Sequence, residues 1–356
     1  MNLPPIMPYG ITLITTHRCT SECENCCFAC SPDQGRTMTF EEMKVYVDMC
    51  LEAYPDTIST LHLTGGECML LGKNIDRILS YAKDKGLQSD IMSNAFWATD
   101  YEKAYMILKR LKKAGLVSIG LSTGKEHKLF VPVKNVRDAA VAAARIGLRT
   151  TIIVENIISH YNIQEQLLDP EVLELVRGNK LEIADSSWME FYNKKPKPRV
   201  RKPSMHLPGK SDPCDGLFAN ININPYGDVY ACCGIGVCRI PQMRLGNVRT
   251  EPVKTLYERA FRDFLKIWLY TEGPGSILQF VKDKTGHKFC GDCSHKCDFC
   301  RTIFMDKTVI QTIKDNIYEV LQKQSTSYIY SAQRINEART KRKNTPYSKA
   351  DHQQIQ

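Results

Sequence analysis

The sequence predicts an α/β fold, in which six βα units form a partial barrel and a small, cysteine-rich α+β domain follows. Strand-like and helix-like segments alternate over the first ~185 residues, which is the pattern of parallel βα units. Chemically distinctive residues come directly after the strand-like segments. A second group of cysteines, beyond a stretch rich in Pro, Lys and Arg, predicts the second domain.

The predicted strands are short runs of apolar and β-branched residues: Tyr9–Thr15, Ile58–Thr64, Leu87–Ser93, Leu116–Ser122, Leu148–Val154 and Lys180–Ala184. Amphipathic segments between them predict helices: Thr39–Ala53, Lys73–Lys85, Asp100–Ala114, Val133–Ile146 and Ile163–Val176. Thr39 and Glu42 have the spacing of a capping box, and Gly86, Gly115 and Gly147 stand where helices end. Six strands are too few for a closed eight-stranded barrel, so a partial barrel is expected.

The ends of these strands carry the candidate site. They lead into a cysteine loop, Gly65-Gly66-Glu67, Ser93-Asn94, Ser122-Thr123, Glu155-Asn156 and Asp185-Ser186. In parallel βα barrels, the loops at the carboxyl ends of the strands build the active site. The sequence therefore predicts that these six loops meet at one mouth.

The first loop contains Cys19-x3-Cys23-x2-Cys26. Three thiolates on one loop suit three irons of a four-iron cluster, and the fourth iron is left open for another ligand. Cys23, Cys27 and Cys30 repeat the same spacing and form an alternative set of ligands. We favour the first set because Cys19 follows the predicted strand after only three residues. Cys27 and Cys30 are then spare thiols.

The composition limits the class of protein. The chain has 356 residues, 15 cysteines in tight clusters and no secretory signal, which favours metal ligation in a reducing cytoplasm over disulfides. No apolar run reaches the ~20 residues that a membrane span needs. The net charge of +9 is concentrated in Lys194–Lys210 and in the tail from Arg334, so a basic body that coats nucleic acid is not expected.

The same distribution suggests boundaries: a barrel domain over 1–190, a basic linker over 191–213, a second domain over 214–330 and a disordered tail over 331–356. In the second domain, alternation around a Pro-Tyr-Gly-Asp turn predicts a hairpin at Asn220–Tyr230. Amphipathic segments predict helices at Val253–Leu269 and Thr308–Gln322.

The cysteine triplet after strand one, together with Gly65-Gly66-Glu67 after strand two, resembles the radical S-adenosylmethionine (SAM) superfamily. The resemblance implies that the open iron binds the methionine part of SAM and that an electron cleaves SAM to a 5′-deoxyadenosyl radical. That radical takes a hydrogen atom from the substrate. One departure is Asn25, where the family often has an aromatic residue.

The resemblance also implies a SAM-binding set. The backbone of Gly65 and Gly66 would bind the methionine amino group, and Glu67 would continue that edge. Ser93, Asn94 and Ser122 stand where the family contacts the ribose and the methionine carboxylate. Judged from the residues alone, the alternative for Glu67 is an ordinary surface carboxylate, which we favour less, and the other three are equally strand-end caps.

The second group of cysteines resembles the SPASM/Twitch extension, because Cys214, Gly227 and Cys232 fit its C-x(9–15)-G-x4-C element. Four more thiols follow, Cys290, Cys293, Cys297 and Cys300, at shorter spacings than the family pattern and with no later cysteine. The resemblance implies one auxiliary four-iron cluster and leaves a second one open. The spacing alone also fits a structural zinc site.

Cys233 and Cys238 are additional thiols in this part of the chain. Either one is a candidate to complete a cluster. Each is also a candidate catalytic residue, because epimerases of the superfamily use a cysteine to donate a hydrogen atom to the substrate radical.

The resemblance implies an enzyme that modifies a peptide or protein by a thioether or C–C crosslink, epimerisation or oxidation. It implies an external reductant such as flavodoxin or ferredoxin. Because the first strand begins near residue 9, we expect a separate protein or the Lys194–Lys210 surface to bind any leader peptide. One alternative is a radical enzyme for a small molecule or carbohydrate. The other is a non-catalytic iron–sulfur or zinc protein that binds nucleic acid, against which Gly65-Gly66-Glu67 argues.

Overall fold

The computed structural model describes residues 5–156, 167, 169–187, 212–289, 295–321, 328–329, 332–333 and 336–337. Most of the predicted linker lies outside the described residues, as do Cys290 and Cys293. In the part of the chain that is described, no helix has the length and apolar character needed to cross a membrane.

One nine-stranded sheet organises these residues. Its strands are β1 (Gly10–Ile14), β2 (Thr60–Thr64), β3 (Gln88–Ser93), β4 (Leu116–Gly124), β5 (Arg149–Asn156), β6 (Leu181–Ser187), β7 (Asn220–Ile223), β8 (Asp228–Tyr230) and β9 (Arg244–Asn247). Their order is β6-β5-β4-β3-β2-β1-β7-β8-β9. Strands β1 to β6 pair in parallel, as expected for a partial βα barrel.

The predicted hairpin is present as β7 and β8, but it does not form a sheet of its own. β7 pairs in parallel with β1, with Gly10 opposite Asn220, and β8 and β9 continue the sheet in antiparallel fashion. The second part of the chain therefore extends the barrel sheet along the strand that leads into the cysteine loop. Sequence patterns could not reveal this pairing, because it joins segments about 200 residues apart.

The helices are α1 (Phe40–Ala53), α2 (Lys73–Asp84), α3 (Tyr101–Ala114), α4 (Val133–Arg145), α5 (Pro170–Arg177), α6 (Val253–Ala260), α7 (Phe264–Thr271), α8 (Gly273–Thr285), α9 (Lys296–Met305) and α10 (Lys307–Asp315). The predicted capping box is confirmed: the Thr39 side chain accepts from the Glu42 backbone, and the Glu42 side chain accepts from that of Thr39.

Two predicted helices differ in extent. The segment Val253–Leu269 is divided into α6 and α7, because the Asp263 carboxylate accepts hydrogen bonds from the Leu265 and Lys266 amides and starts a new helix. The segment Thr308–Gln322 begins one residue earlier, at Lys307, and its first helix ends at Asp315.

The core lies between the sheet and the helices. Alternate residues of the central strands, such as Leu13 and Leu63, are fully buried in it. The intervening positions carry polar groups. One pair is buried, with His62 Nδ1 lying 2.5 Å from Asp90 Oδ2. The barrel sheet therefore has an apolar face against its helices and a polar face opposite.

Four residues of the predicted tail, 332–333 and 336–337, are described and are helical. Ala332 is fully buried, and Asn336 Oδ1 accepts from the Met7 amide at 2.9 Å. Asn336 also donates to the Pro5 carbonyl at 2.6 Å. These residues pack against the start of the chain because two backbone polar groups there need partners.

Candidate active site

The cysteine loop follows β1 directly and is fixed at both ends. The Thr15 amide donates to the Thr64 carbonyl at 2.7 Å, and the Cys19 amide donates to the Ser31 carbonyl at 3.0 Å. These bonds hold the loop at the carboxyl end of the sheet, as predicted.

The thiols of Cys19, Cys23 and Cys26 lie together in this loop. Burial raises the pKa of Cys19 to about 11, with smaller contributions from Glu67 and Cys26. Burial also raises the pKa of Cys23, which interacts with Glu155, Cys26 and Cys19. A hydrogen bond from the Cys30 thiol lowers the pKa of Cys26 to about 6. Three mutually interacting thiols on one loop are the donor set that a four-iron cluster with one open iron requires.

Gly65 and Gly66 pack against the cysteine loop. The Gly66 amide donates to the Thr16 carbonyl at 2.7 Å, and the Glu67 amide donates to the Arg18 carbonyl at 2.9 Å. A Cβ on Gly66 would lie 2.0 Å from the Arg18 carbonyl oxygen. In the structure, the absence of a side chain at Gly65 and Gly66 makes room for the backbone of the cysteine loop. The binding of the methionine amino group by their backbone stays a prediction.

Glu67 is fully buried, so it is not a surface carboxylate. Its carboxylate accepts from the Asn94 amide at 2.8 Å, the Ser93 hydroxyl at 2.9 Å and the Met69 amide at 3.0 Å. Burial raises its pKa to about 7. The Glu67 carboxylate therefore links the end of β2 to the end of β3 through hydrogen bonds.

Ser93 and Asn94 are also buried and bind protein groups. Ser93 accepts from the Trp97 indole at 2.9 Å. Asn94 Nδ2 donates to the hydroxyls of Thr20 at 3.0 Å and Ser21 at 3.1 Å, which lie in the cysteine loop. Ser122 is half-buried near the end of β4. The described hydrogen bonds of Ser93 and Asn94 thus hold together the loops that form the mouth of the barrel.

A second side of the mouth, formed by Glu126, His127 and Glu155, was only partly predicted. The Glu126 carboxylate accepts from the Asn25 amide at 2.8 Å and from Asn25 Nδ2 at 2.7 Å. His127 Nδ1 lies 2.7 Å from Glu155 Oε2, and the Glu126 amide donates to Glu155. The sequence placed Glu155 at a strand end but missed the other two, although both follow β4 closely. Asn25, the departure from the family pattern, is thus held by Glu126.

A separate group of four thiols comprises Cys214, Cys232, Cys297 and Cys300. All four interact electrostatically, and burial raises the pKa of each. Gly234 lies between two of them: a Cβ there would be 3.1 Å from the Cys297 sulfur and 3.3 Å from that of Cys232. Among the described residues, no three His, Cys, Asp or Glu side chains are placed to share one metal ion. The thiolates of a four-iron cluster each bind a different iron.

The two additional thiols lie in different places. Cys233 interacts with Cys214, Cys232 and Cys297 of the second group, and burial raises its pKa to about 11. Cys238 instead interacts with Cys26 and with Cys27 of the first loop. Cys238 is therefore the one of the two whose described interactions reach the first group of cysteines.

Family models match both parts of the chain. Residues 13–169 match the radical SAM superfamily, and residues 214–294 match SPASM, described as an iron-sulfur cluster-binding domain. The chain is 22% identical over 277 residues to "Putative peptide biosynthesis protein YydG" of Bacillus subtilis (strain 168), covering 75% of this chain and 82% of the relative.

It is also 28% identical over 117 residues to "Antilisterial bacteriocin subtilosin biosynthesis protein AlbA" of the same organism, covering 33% of this chain and 25% of the relative. Among solved structures, "Native anSMEcpe with bound AdoMet and Kp18Cys peptide" superposes with a TM-score of 0.52 at 13% identity. That alignment covers 89% of this chain and 99% of the other, and it shows a shared fold. Because one family match spans the Cys19–Cys26 loop and the other begins at Cys214, the chain belongs to the radical SAM superfamily, as an enzyme with a SPASM domain that uses S-adenosylmethionine and iron–sulfur clusters.

Proposed function

We propose that this enzyme is a maturase of ribosomally made peptides, which takes a hydrogen atom from a peptide substrate. The observation that carries the proposal is the grouping of the Cys19, Cys23 and Cys26 thiols beside Gly65-Gly66-Glu67. Two relatives named for peptide and bacteriocin biosynthesis support the substrate class. With SAM bound, such a cluster supplies the 5′-deoxyadenosyl radical that removes the hydrogen atom.

Cys19, Cys23 and Cys26 are proposed to hold the radical-generating cluster. Gly65 and Gly66 are proposed to bind the methionine amino group through their backbone carbonyls, because that group is a donor and the amides of Gly66 and Glu67 are already bound to the cysteine loop. Ser122 remains a candidate contact to SAM. Ser93 and Asn94 are proposed to act mainly by holding the shape of this pocket, because their polar groups bind Glu67 and the cysteine loop.

Cys214, Cys232, Cys297 and Cys300 are proposed to ligate one auxiliary four-iron cluster. Four thiolates satisfy four irons, so this set needs no further ligand. Cys290 and Cys293 lie outside the described residues, and their assignment to a second cluster stays open.

Cys238 is the better candidate to donate a hydrogen atom to a substrate radical, because its thiol interacts with the first cysteine loop, whereas Cys233 interacts with Cys214. Transfer of the S–H hydrogen atom would form a C–H bond on the peptide and leave a thiyl radical. One electron from an external reductant and one proton from solvent would then restore the thiol. This step favours epimerisation among the candidate modifications.

We further propose that flavodoxin or ferredoxin supplies electrons, that a separate protein binds the leader peptide, and that the enzyme works in the cytoplasm. A chain with 15 cysteines in metal-ligating clusters needs a reducing compartment. We also propose domain boundaries at 1–190 and 214–330, although β7 joins the two in one sheet.

The test is anaerobic incubation of iron-reconstituted, reduced enzyme with SAM, followed by chromatography for 5′-deoxyadenosine. Wild type should form it and Cys26→Ala should not, while Cys50→Ala, which removes a buried thiol from α1, should behave as wild type. Absence of 5′-deoxyadenosine from the wild-type reaction would refute the proposal.

The donor role is tested with candidate precursor peptides in D₂O. If Cys238 donates, product peptides gain one deuterium per epimerised residue, and Cys238→Ala gives no such product while still forming 5′-deoxyadenosine. Equal deuterium incorporation by Cys238→Ala and wild type would exclude Cys238 as the donor.

A further inference from the structure

The middle of the cysteine loop is held by a residue from the other side of the mouth. Asn25 lies between Cys23 and Cys26 and is 5% exposed. Its backbone amide donates to Glu126 Oε2 at 2.8 Å, and its Nδ2 donates to Glu126 Oε1 at 2.7 Å. One carboxylate therefore binds both the backbone and the side chain of Asn25, which fixes the position and the rotation of that residue. Hydrogen bonds to an ionised acceptor are also stronger than those between neutral groups.

Glu126 is in turn held by Glu155, which lies in β5 and is 3% exposed. The Glu155 carboxylate accepts from the Glu126 amide, and its Oε2 lies 2.7 Å from His127 Nδ1. Gly124 leaves room for the Glu155 side chain, because a Cβ on Gly124 would lie 1.8 Å from Glu155 Cγ. A chain of hydrogen bonds thus links β5, through Glu126, to the middle of the cysteine loop.

The spacing of the cysteines does not by itself fix this part of the loop. Cys23, Cys27 and Cys30 repeat the spacing of the proposed ligands, so the same stretch of chain contains two overlapping triplets. The contact with Glu126 adds a constraint that the spacing lacks, and it does so at Asn25, the residue directly before Cys26.

We propose that Glu126 is a positioning residue, which acts through Asn25 to hold Cys23 and Cys26 where the open iron can bind SAM. The inference rests on the proposed function, in which these cysteines are cluster ligands. Each thiolate binds a different iron, so the place of the loop decides the place of the open iron. When only a fraction of the molecules has the competent arrangement, the apparent affinity for the ligand falls by that fraction. Loss of the Glu126 contact should therefore weaken SAM binding.

The test is a titration of SAM into the full-length, iron-reconstituted and reduced protein, followed by electron paramagnetic resonance and accompanied by iron analysis. The measured quantity is the SAM concentration that gives half of the spectral change. Glu126→Ala removes the carboxylate, and Asn25→Asp places two carboxylates against each other. Combining Asn25→Asp with Glu126→Gln restores both bonds, because the glutamine NH₂ group donates to the new carboxylate and its oxygen accepts from the backbone amide. Glu52→Ala, which removes an exposed carboxylate from α1, is the matched control.

We expect Glu126→Ala and Asn25→Asp to raise the half-maximal SAM concentration about tenfold or more, as for the loss of one hydrogen bond to a charged group. The double variant should return to within about threefold of wild type, because one of its two bonds is then to a neutral acceptor. Glu52→Ala should match wild type. A substitution that only destabilised the fold would not be reversed by a second substitution at the partner residue.

A wild-type SAM concentration in Glu126→Ala would overturn the inference and leave the proposed function intact, and so would a double variant as weak as Asn25→Asp. If Glu126→Ala lost about four irons, iron content would decide the same comparison between Asn25→Asp and the double variant. Absence of any SAM-dependent change in the wild-type spectrum would instead contradict the proposed function, so the two failures are distinguishable.

Discussion

Gly66→Ala is the substitution that best tests how the radical SAM site is assembled. The Cβ that alanine adds would lie 2.0 Å from the Arg18 carbonyl oxygen, 2.6 Å from the Arg18 carbonyl carbon and 3.2 Å from Cys19 Cβ. The first two are backbone atoms of the cysteine loop, and no side-chain rotation can move them away. We therefore expect the loop to be displaced from the end of β2.

The expected loss of stability in Gly66→Ala follows from the contacts that this displacement breaks. The Gly66–Thr16 and Glu67–Arg18 hydrogen bonds, at 2.7 and 2.9 Å, would be lost or lengthened. Each is worth about 1 kcal/mol, and overpacking adds about 1–3 kcal/mol. The free energy of unfolding should fall by about 3–5 kcal/mol. Formation of 5′-deoxyadenosine should fall further, because the loop carries the proposed cluster ligands.

Urea unfolding of the metal-free protein measures the first effect, and iron content with 5′-deoxyadenosine formation measures the second. Gly178→Ala is the matched control, because Gly178 ends α5 with an ordinary φ of −77° and its nearest Cβ contact would be 3.3 Å. If Gly66→Ala unfolded at the same urea concentration as Gly178→Ala and retained full activity, the packing argument would be wrong.

Three further predictions concern other parts of the molecule. Glu67 should stabilise the metal-free protein more as the pH falls from about 7 toward 4.5, because burial raises its pKa from 4.5 to about 7 and the folded state binds its proton first, whereas the lowered pKa values of Cys26 and His17 act in the opposite direction. On acidification across this range, the urea midpoint of Glu67→Gln should therefore fall relative to that of wild type, and parallel pH profiles of the two proteins would contradict this. Cys300→Ala should lose about four irons, which is one cluster, by iron analysis. It should keep the electron paramagnetic resonance signal that changes when SAM is added, and Cys233→Ala should keep all its iron. Leu13→Ala should destabilise the protein by about 2–5 kcal/mol in urea unfolding, because Leu13 is fully buried in β1, while the exposed Val45→Ala should cost under 1 kcal/mol.

The sequence predicted the barrel strands well, because alternating strand and helix patterns are local properties of the chain. It also predicted the first cysteine loop, since three cysteines within eight residues must lie close together wherever the loop goes. It failed at Val253–Leu269, where one amphipathic pattern continues across the Asp263 cap that divides it into two helices. It missed Glu126 and His127, because an ordinary carboxylate and imidazole after a strand carry no motif.

Spacing alone could not decide which distant groups meet. Cys233 and Cys238 were equivalent in the sequence, and the structure separates them by placing one with Cys214 and the other with Cys26 and Cys27. Likewise, the sequence allows a surface carboxylate at Glu67 as an alternative, whereas the structure encloses its carboxylate with three hydrogen-bond donors, from Met69, Ser93 and Asn94.

By itself, then, the sequence determined the chemistry of this protein, since the thiolate triplet and the Gly-Gly-Glu segment are encoded within short, continuous stretches. The tertiary structure alone decided how the two thiol groups are related, because β7 pairs with β1 across about 200 residues and brings the second group onto the same sheet. It also decided the roles of the remaining polar residues. Burial and hydrogen-bond partners depend on contacts between segments far apart in the chain, and no local pattern records them.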